Sequence, residues 1–409
     1  MIHRLEIENF YSICETQVID LRVGAKVPDE ESRFAQIEDG SGDRVPKTVA
    51  LYGANASGKS NILKALVLLK TFLVDSINLP TDKILPLSSF GSAQHDAERT
   101  RIKVHFDWIG DLVDKDPQST SSTPIARYTY EVQFQGDPNW RERKTVLSEE
   151  LRLQPISGKS RRVFERNESG EVQGSDQFPL NRLSHILTKL RPDVSLASTI
   201  AQFADHSPAL AFLEWAKHIS ANILWEKLTA DDDAIIGYYA KTPTRLEVLN
   251  RIIEKVDLGI RSFSIAQSPG GPVAVITHHG LDRPLAFWME SQGTRDFIKV
   301  FPYIVDALST GGIAVIDELD STIHPMLLPE ILRWFHDPVE NPHNAQLWFS
   351  GHSASLLEEL QKEEIFFTEK DQQGRTSVYG LKDIESVRRS DNFYQKYLGG
   401  VYGAVPRIG

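Results

Sequence analysis

The chain has a single cysteine, Cys14, among 409 residues. No internal disulfide is possible, which suits a reducing compartment. Long apolar runs are missing too. None approaches the roughly 18 residues of a membrane span, and the first residues are too polar for a secretory signal. A cytoplasmic protein with no membrane partner is expected. There is no excess of positive charge: 45 Lys and Arg stand against 56 Asp and Glu, a net charge of −11. The bulk surface should therefore not attract nucleic acid, although a local basic face would be compatible with that balance. Sustained heptads are absent, which excludes a long coiled coil. What is present is ordinary for a globular protein, with 41% hydrophobic and 25% charged residues and length for two or three domains.

The chain is organised around Gly53-Ala54-Asn55-Ala56-Ser57-Gly58-Lys59-Ser60. This fits G-x-x-x-x-G-K-[ST], a loop that wraps nucleotide phosphates. Its glycines let successive backbone N–H groups turn into one concavity suited to an anion. Lys59 would reach the β- and γ-phosphates, Ser60 would hold Mg²⁺, and the helix that follows would aim its positive end at the phosphates. The context agrees. Thr48 to Tyr52 reads as a short buried strand, and Asn61 to Val74 places apolar residues at helical spacing. That helix is expected to run to about Leu79.

Before the loop, Leu5 to Phe10 alternates as an edge-type strand with Val18 to Leu21 as its hairpin partner, and residues 24–46 read as a surface loop. After it, residues 81–100 read as irregular. Alternation at Ile102–Trp108, Tyr128–Phe134, Val146–Leu153 and Arg161–Phe164 predicts an antiparallel sheet, interrupted by a loop holding Ser119 to Thr123. Residues 141–166 carry eight basic residues (Arg141, Arg143, Lys144, Arg152, Lys159, Arg161, Arg162, Arg166) among four glutamates. They read as a solvated mixed-charge face or, alternatively, as a phosphate-backbone contact strip. From Leu180 to about Trp225 the pattern is helical, with a break at Arg191-Pro192. Thr244 to Val256 is a further helix, capped by Thr242 or Thr244. Ile260–Ala266 and Val273–Thr277 form a hairpin through Ser268-Pro269-Gly270-Gly271.

Chemistry resumes at Ser291-Gln292-Gly293-Thr294, which leads into a helix over about Arg295–Leu308 that Gly311-Gly312 ends. Ile313 to Ile316 is a run buried on both faces, as in a parallel sheet covered by helices, and it ends in Asp317-Glu318. Carboxylates at that end lie where open α/β sheets bind ligands. Asp317 can hold Mg²⁺ through water beside Ser60, and Glu318 can polarise an attacking water. A helix over residues 326–336 and a strand Gln346–Ser350 follow. His352, just past that strand, can touch a γ-phosphate. Strands at Ile365–Phe367 and Ser377–Tyr379 precede a glycine-rich tail.

The order of these motifs resembles the ABC-type ATPases of the RecF and SMC kind, and within them the stand-alone bacterial AAA family ATPases of the AbiL and RloA type. The resemblance rests on the strand ending in Asn9-Phe10, on Gly53 to Ser60 followed by Asn61, and on Ser291 to Thr294 opening a helix. It rests further on Ile313 to Glu318, Leu319-Asp320, His352 and the two family-like stretches Asp317 to Pro325 and Tyr397 to Pro406. It implies an α/β fold: an ABC-type ATPase head with an antiparallel N-terminal β-subdomain and a parallel P-loop sheet flanked by helices. A central β-plus-helical insertion is expected, giving lobes at 1–106 and 244–409 around an insertion at 107–243.

The resemblance also implies Mg-ATP hydrolysis in a homodimer or higher homo-oligomer joined head to tail around ATP. Ser291, Gly293 and Thr294 would meet the partner copy's nucleotide, Arg295 would add charge there or serve structure, and Asp320 would couple the two sites. Glu318, His352 and Lys59 would be catalytic. Residues Gly53, Ala54, Asn55, Ala56, Ser57, Gly58, Lys59, Ser60 and Asn61 would bind nucleotide, with Ser60 and Asp317 at Mg²⁺. The signature departs from Leu-Ser-Gly-Gly-Gln, Tyr11 stands where many relatives carry a basic residue, and the sequence does not place the Q-loop glutamine, for which Gln94 and Gln133 are the candidates. The activity this implies is that of an anti-phage, abortive-infection ATPase controlling a TOPRIM-like nuclease or another toxin. The 57 residues after His352 are too few for such a domain, so any effector is expected to be a separate chain or absent. The alternatives are a RecF-like ATPase that clamps DNA directly and a slow-hydrolysing nucleotide-gated scaffold.

Overall fold

A computed structural model of the chain describes all residues except 38–41, 81–84, 93–94, 96–97, 110–124, 137–144, 156–157, 177, 224–231, 257–258, 270, 324–326 and 406–409. The serine-rich loop, Gln94, Arg141, Arg143, Lys144, Gly270, His324, Pro325 and Pro406 lie outside the described residues.

Two sheets carry the molecule. The first has six strands in the order Ile219–Asn222, Ile313–Ile316, Gln346–Ser350, Thr48–Gly53, Ile365–Lys370 and Thr376–Gly380; all neighbours are parallel except the last pair. Its central strands are apolar runs because both faces are covered. Along Thr48–Gly53, Val49 and Leu51 enter one core while Ala50 and Tyr52 enter the other. Ile313 and Val315 divide from Ala314 and Ile316 in the same way, as the two-residue strand period requires. The helices Lys59–Lys70 and Gln292–Thr310 each contribute a buried stripe to one of these cores.

The second sheet is antiparallel and has seven strands: Val172–Gly174, Arg161–Arg166, Val146–Pro155, Ile125–Phe134, Thr100–Ile109, Ile2–Glu8 and Gln17–Asp20. Helix Ser207–Lys217 lies against it, with Trp215 stacked on Phe106 at 3.8 Å between ring centroids. The buried Gln346 staples the two sheets. Its Oε1 accepts from the Ile2 N–H at 2.6 Å, and its Nε2 donates to the Ile2 and Pro46 carbonyls at 3.1 Å each. The expected α/β architecture, an antiparallel β-sheet beside a parallel sheet flanked by helices, is present.

The antiparallel sheet runs through the expected boundary at 106, which falls inside strand Thr100–Ile109. Strand Ile219–Asn222, from the stretch between the lobes, joins the parallel sheet beside Ile313–Ile316.

Several local expectations are corrected. The stretch 24–46 holds a small ladder, Phe34–Gln36 with Arg44–Pro46. The first helix stops at Lys70 and passes into a π-helical turn, Thr71–Asp75. Ile219–Asn222 is a strand, not helix, because a parallel neighbour satisfies its backbone. Helices Asp232–Lys241 and Phe393–Leu398 were not anticipated. The hairpin Ile260–Ser268 with Gly271–His278 is as expected, with Leu285–Ala286 added as a third strand. Among the described residues no helix is long and apolar enough to cross a membrane.

Among the described residues of the mixed-charge strip, Arg152, Arg162 and Arg166 pair with glutamates of the same strip. Glu149 is buried and accepts from the Arg166 guanidinium, the Tyr130 and Ser195 hydroxyls (3.0 Å each) and the Leu196 N–H (2.8 Å). It thereby holds the start of helix Leu196–Phe203, which Ser195 caps. Arg152 pairs with Glu150, and Arg162 with Glu165. A second buried carboxylate, Glu364, accepts from His336 Nε2 at 3.0 Å, Arg33 at 2.9 Å, the Gln361 N–H at 2.7 Å and the Thr48 hydroxyl.

Two measurements check these hubs. Glu149→Ala leaves Arg166 buried without its counter-charge and should cost about 3–5 kcal/mol in urea unfolding; a loss below 1 kcal/mol would contradict the arrangement. For Glu364, burial alone would raise the carboxyl pKa, but the hydrogen bonds and charges of His336 and Arg33, with the Thr48 hydroxyl, hold it below the usual range. Its stabilisation is therefore complete above the ordinary carboxylate pKa and is lost as pH falls through the lowered folded value. Glu364→Gln should flatten the acid limb of unfolding free energy against pH, and an unaltered limb would refute this.

Candidate functional site

The site forms at the C-terminal ends of the parallel strands. After Tyr52 the chain turns through Gly53 at φ 154° and re-enters helix at Gly58, φ 110°. Both glycines are required by contact as well as by dihedral. A Cβ on Gly53 would lie 2.6 Å from Thr368 Oγ1 and 2.7 Å from Ser57 Oγ, and one on Gly58 would meet the Thr376 side chain. The two C-terminal strands thus brace the loop from outside. Ser57 and Thr368 share a hydroxyl hydrogen bond at 2.5 Å, and Thr376 Oγ1 donates to the Ser57 carbonyl at 2.8 Å. Asn61, just inside the helix, donates to Ser12 Oγ at 2.7 Å, and Ser12 is hydrogen-bonded to Thr376.

Lys59 folds back into the loop, donating to the carbonyls of Gly53 at 2.9 Å and Ala54 at 3.1 Å. Burial pushes its ammonium pKa down, while the carboxylates of Asp317, Glu318 and Asp320 push it up. Ser60 Oγ donates to Asp317 Oδ1 at 3.0 Å, which brings the loop and the end of strand Ile313–Ile316 together. Ser350 completes this corner: its hydroxyl donates to the same Asp317 oxygen and accepts from the Glu318 N–H at 2.8 Å.

Glu318 has a left-handed backbone, φ 51°, and its Oε1 lies 3.5 Å from His352 Nε2. Such a conformation costs a non-glycine residue of the order of 1–3 kcal/mol and is kept only where neighbours enforce it. Asp320 accepts from the backbone N–H of His352 at 2.7 Å and from that of Ser353, so it fixes the turn that carries His352.

A cavity of about 380 Å³ lies over the loop, lined by residues 55–61 with Lys64, Glu318, His352 and Lys370. The loop residues, three lysines, a hydroxyl paired to a carboxylate and a carboxylate–imidazole pair meet there. The donor set fits a nucleotide with Mg²⁺. Ser60 and Asp317 supply hard oxygens, and Mg²⁺ keeps most of its shell as water and phosphate. Among the described residues no group of three or more His, Cys, Asp or Glu is placed to hold a metal by itself.

The signature stretch stands apart from this cavity. Ser291 and Gly293 are exposed, and Ser291 Oγ caps helix Gln292–Thr310 by accepting from the Thr294 N–H at 3.2 Å. Arg295 is tied to Asp232 at 2.7 Å. Gln133 is hydrogen-bonded to Arg99 and Glu131 on the antiparallel sheet and does not line the cavity. Sequence reasoning missed Ser350, Thr368, Thr376, Lys64 and Lys370. The available signal was polar residues closing buried strands; Lys64 offered only its place one turn beyond Ser60.

Solved structures with a similar course of chain include an SmcHead bound to the C-winged helix domain of ScpA, at 14% identity and TM-score 0.47, covering 93% of this chain and 97% of that one. The SMC head domain from Thermotoga maritima aligns at 13% identity and TM-score 0.40, covering 93% and 98%. The Smc head with an extended coiled coil bound to the C-terminal domain of ScpA, derived from Pyrococcus furiosus, aligns at 13% and 0.45, covering 98% and 99%. No curated protein matches the chain. A family model does, over residues 49–358, with the description "AAA domain, putative AbiEii toxin, Type IV TA system". That span runs from the strand before the phosphate loop to beyond His352, and the chain belongs to this family of ATP-binding AAA domains.

Proposed function

We propose that the chain hydrolyses Mg-ATP as a head-to-tail homodimer, or a larger assembly built from one, and that it is the regulatory ATPase of an anti-phage abortive-infection system. The reading is carried by the convergence of Ser60, Glu318 and His352 on one cavity, with Asp317 hydrogen-bonded to Ser60 beside it, although these residues come from three separate parts of the sequence. Lys59 and the loop N–H groups neutralise the phosphates, and Ser60 and Asp317 orient Mg²⁺, which supplies charge neutralisation at the terminal phosphates. Glu318, set by its backbone and by Ser350, orients the attacking water. His352, anchored through Asp320, holds the γ-phosphate side of the cavity.

Two features support dimerisation. The Ser291 helix presents its N-terminus to solvent, and a second helix N-terminus opposite the γ-phosphate would complete the charge cage. Asp320 lies next to Glu318 and would report one site's state to the other. The defence role rests on the sequence resemblance, beside a family description that names a putative toxin of a Type IV TA system, and would act through a separate effector, a nuclease or other toxin. Direct DNA clamping is not favoured, because Arg152, Arg162 and Arg166 of the candidate strip are paired with glutamates.

Three variants test the mechanism. Lys59→Ala should abolish ATP binding. Glu318→Gln should keep binding, lower turnover about a hundredfold or more and accumulate an ATP-dependent dimer visible by light scattering. Ser291→Arg should leave ATP binding to the monomer intact and prevent the dimer. Normal turnover in Glu318→Gln, or a dimer unaffected by Ser291→Arg, would overturn the corresponding assignment. For the biological role, tagged Glu318→Gln protein should capture a nuclease or toxin after phage challenge; capture of DNA with recombination proteins would replace the defence reading.

A further inference from the structure

The glycine-rich C-terminal tail has no part in the mechanism above, yet it is bound to the strand that closes the nucleotide cavity. Strand Ile365–Lys370 alternates between two faces. Phe367 and Glu369 face the tail. Tyr397 stacks on Phe367 at 5.3 Å and Tyr402 at 5.9 Å. The Glu369 carboxylate accepts the Ala404 N–H, and Tyr379 Oη donates to the Tyr402 carbonyl at 2.8 Å. Gly403 (φ 72°) and Ala404 (φ 57°) are both left-handed, and a Cβ on Gly403 would run into the Glu369 carboxylate and lie 2.8 Å from Tyr379 Oη. The tail therefore closes on Glu369 with no room for a side chain at Gly403.

The other face of the strand meets the phosphate loop. Thr368 packs on Gly53 and Ser57, and Lys370, two residues on, lines the cavity. The three cavity lysines differ in their contacts. Lys59 donates to loop carbonyls, and the Lys64 ammonium sits 5.1 Å from the Tyr11 ring centre. Lys370 is exposed, and its ammonium makes no hydrogen bond or ion pair with the described residues.

We propose that Lys370 is a second phosphate-binding lysine for the nucleoside triphosphate, and that the tail over residues 397–404 is a clamp that places it by gripping Glu369 on the opposite face of the same strand. This rests on the nucleotide-binding reading above. It assigns Lys370 to the terminal phosphates, since the cavity it lines is the one that holds Glu318 and His352.

The test is a titration of full-length protein with fluorescent analogues of ATP and AMP at low and moderate salt. Lys370→Met should weaken the ATP analogue about tenfold, as expected for one lost charge-assisted phosphate contact, and should leave the AMP analogue unchanged. The loss should shrink as salt rises, and Lys370→Arg should restore most of it. Glu369→Ala separates the clamp from simple charge. Deleting a carboxylate beside an anion site would by itself tighten ATP binding, whereas loss of the clamp weakens it, with the AMP analogue again unaffected. Wild-type affinity for both analogues in Lys370→Met would overturn the phosphate contact, and tighter ATP binding in Glu369→Ala would overturn the clamp. In either case the nucleotide-binding reading stands if wild type binds the ATP analogue and Lys59→Ala does not. If wild type fails to bind it, both fall.

Discussion

The hydrogen bond from Ser60 to Asp317 joins residues 257 positions apart in the chain, and most of the architecture exists to allow it. One partner opens a helix after a glycine turn; the other ends a strand two places away in the parallel sheet. Both points are at the same edge because the strands run parallel, and parallel strands need long crossovers to return the chain to that edge. The antiparallel sheet and its helices occupy that intervening length. The strand Gln346–Ser350, placed between the two partners, contributes Ser350 to the corner directly. A shift of one residue in its register would move Ser350 from Asp317 to the opposite face.

The loop itself illustrates how a strained conformation is held. Gly53, Ala56, Gly58 and, across the cavity, Glu318 all have left-handed backbones. Gly53 and Gly58 are enclosed by Thr368 and Thr376, and the Glu318 backbone is held by the Ser350 hydroxyl. The bracing residues come from the last quarter of the chain. The phosphate loop is therefore encoded locally but shaped by strands formed some 300 residues later, so its geometry depends on the whole sheet being assembled.

That division explains what the sequence made legible. The buried strands Thr48–Gly53, Ile313–Ile316 and Gln346–Ser350 are short apolar runs and stood out as such, as did the helix after the loop and the carboxylates at Asp317 and Glu318. The antiparallel sheet was visible as alternation from Ile102 onward. What was not legible depended on partners distant in sequence. Ile219–Asn222 has a helical neighbourhood and becomes a strand only because Ile313–Ile316 lies beside it. Phe393–Leu398 is short, and its burial comes from Tyr397 packing on Tyr52 and Phe367, contacts that periodicity cannot reveal. Ser350, Thr368 and Thr376 look like ordinary strand-end residues until the loop is placed against them.

Charge shows the same limit from another side. Composition predicts an acidic protein indifferent to polyanions, and the basic strip suggested an exception. In the structure Arg166 is buried on Glu149, and that pair serves a helix start rather than a ligand. Among the described residues, Lys59, Lys64 and Lys370 line the cavity over the loop. A net charge of −11 acts over many ångströms and is screened at physiological salt within about 8 Å. Three lysines lining a cavity of about 380 Å³ act inside that distance. Under the proposed function, a local cluster of cations of this kind lets an acidic protein hold a polyanionic nucleotide despite its net charge.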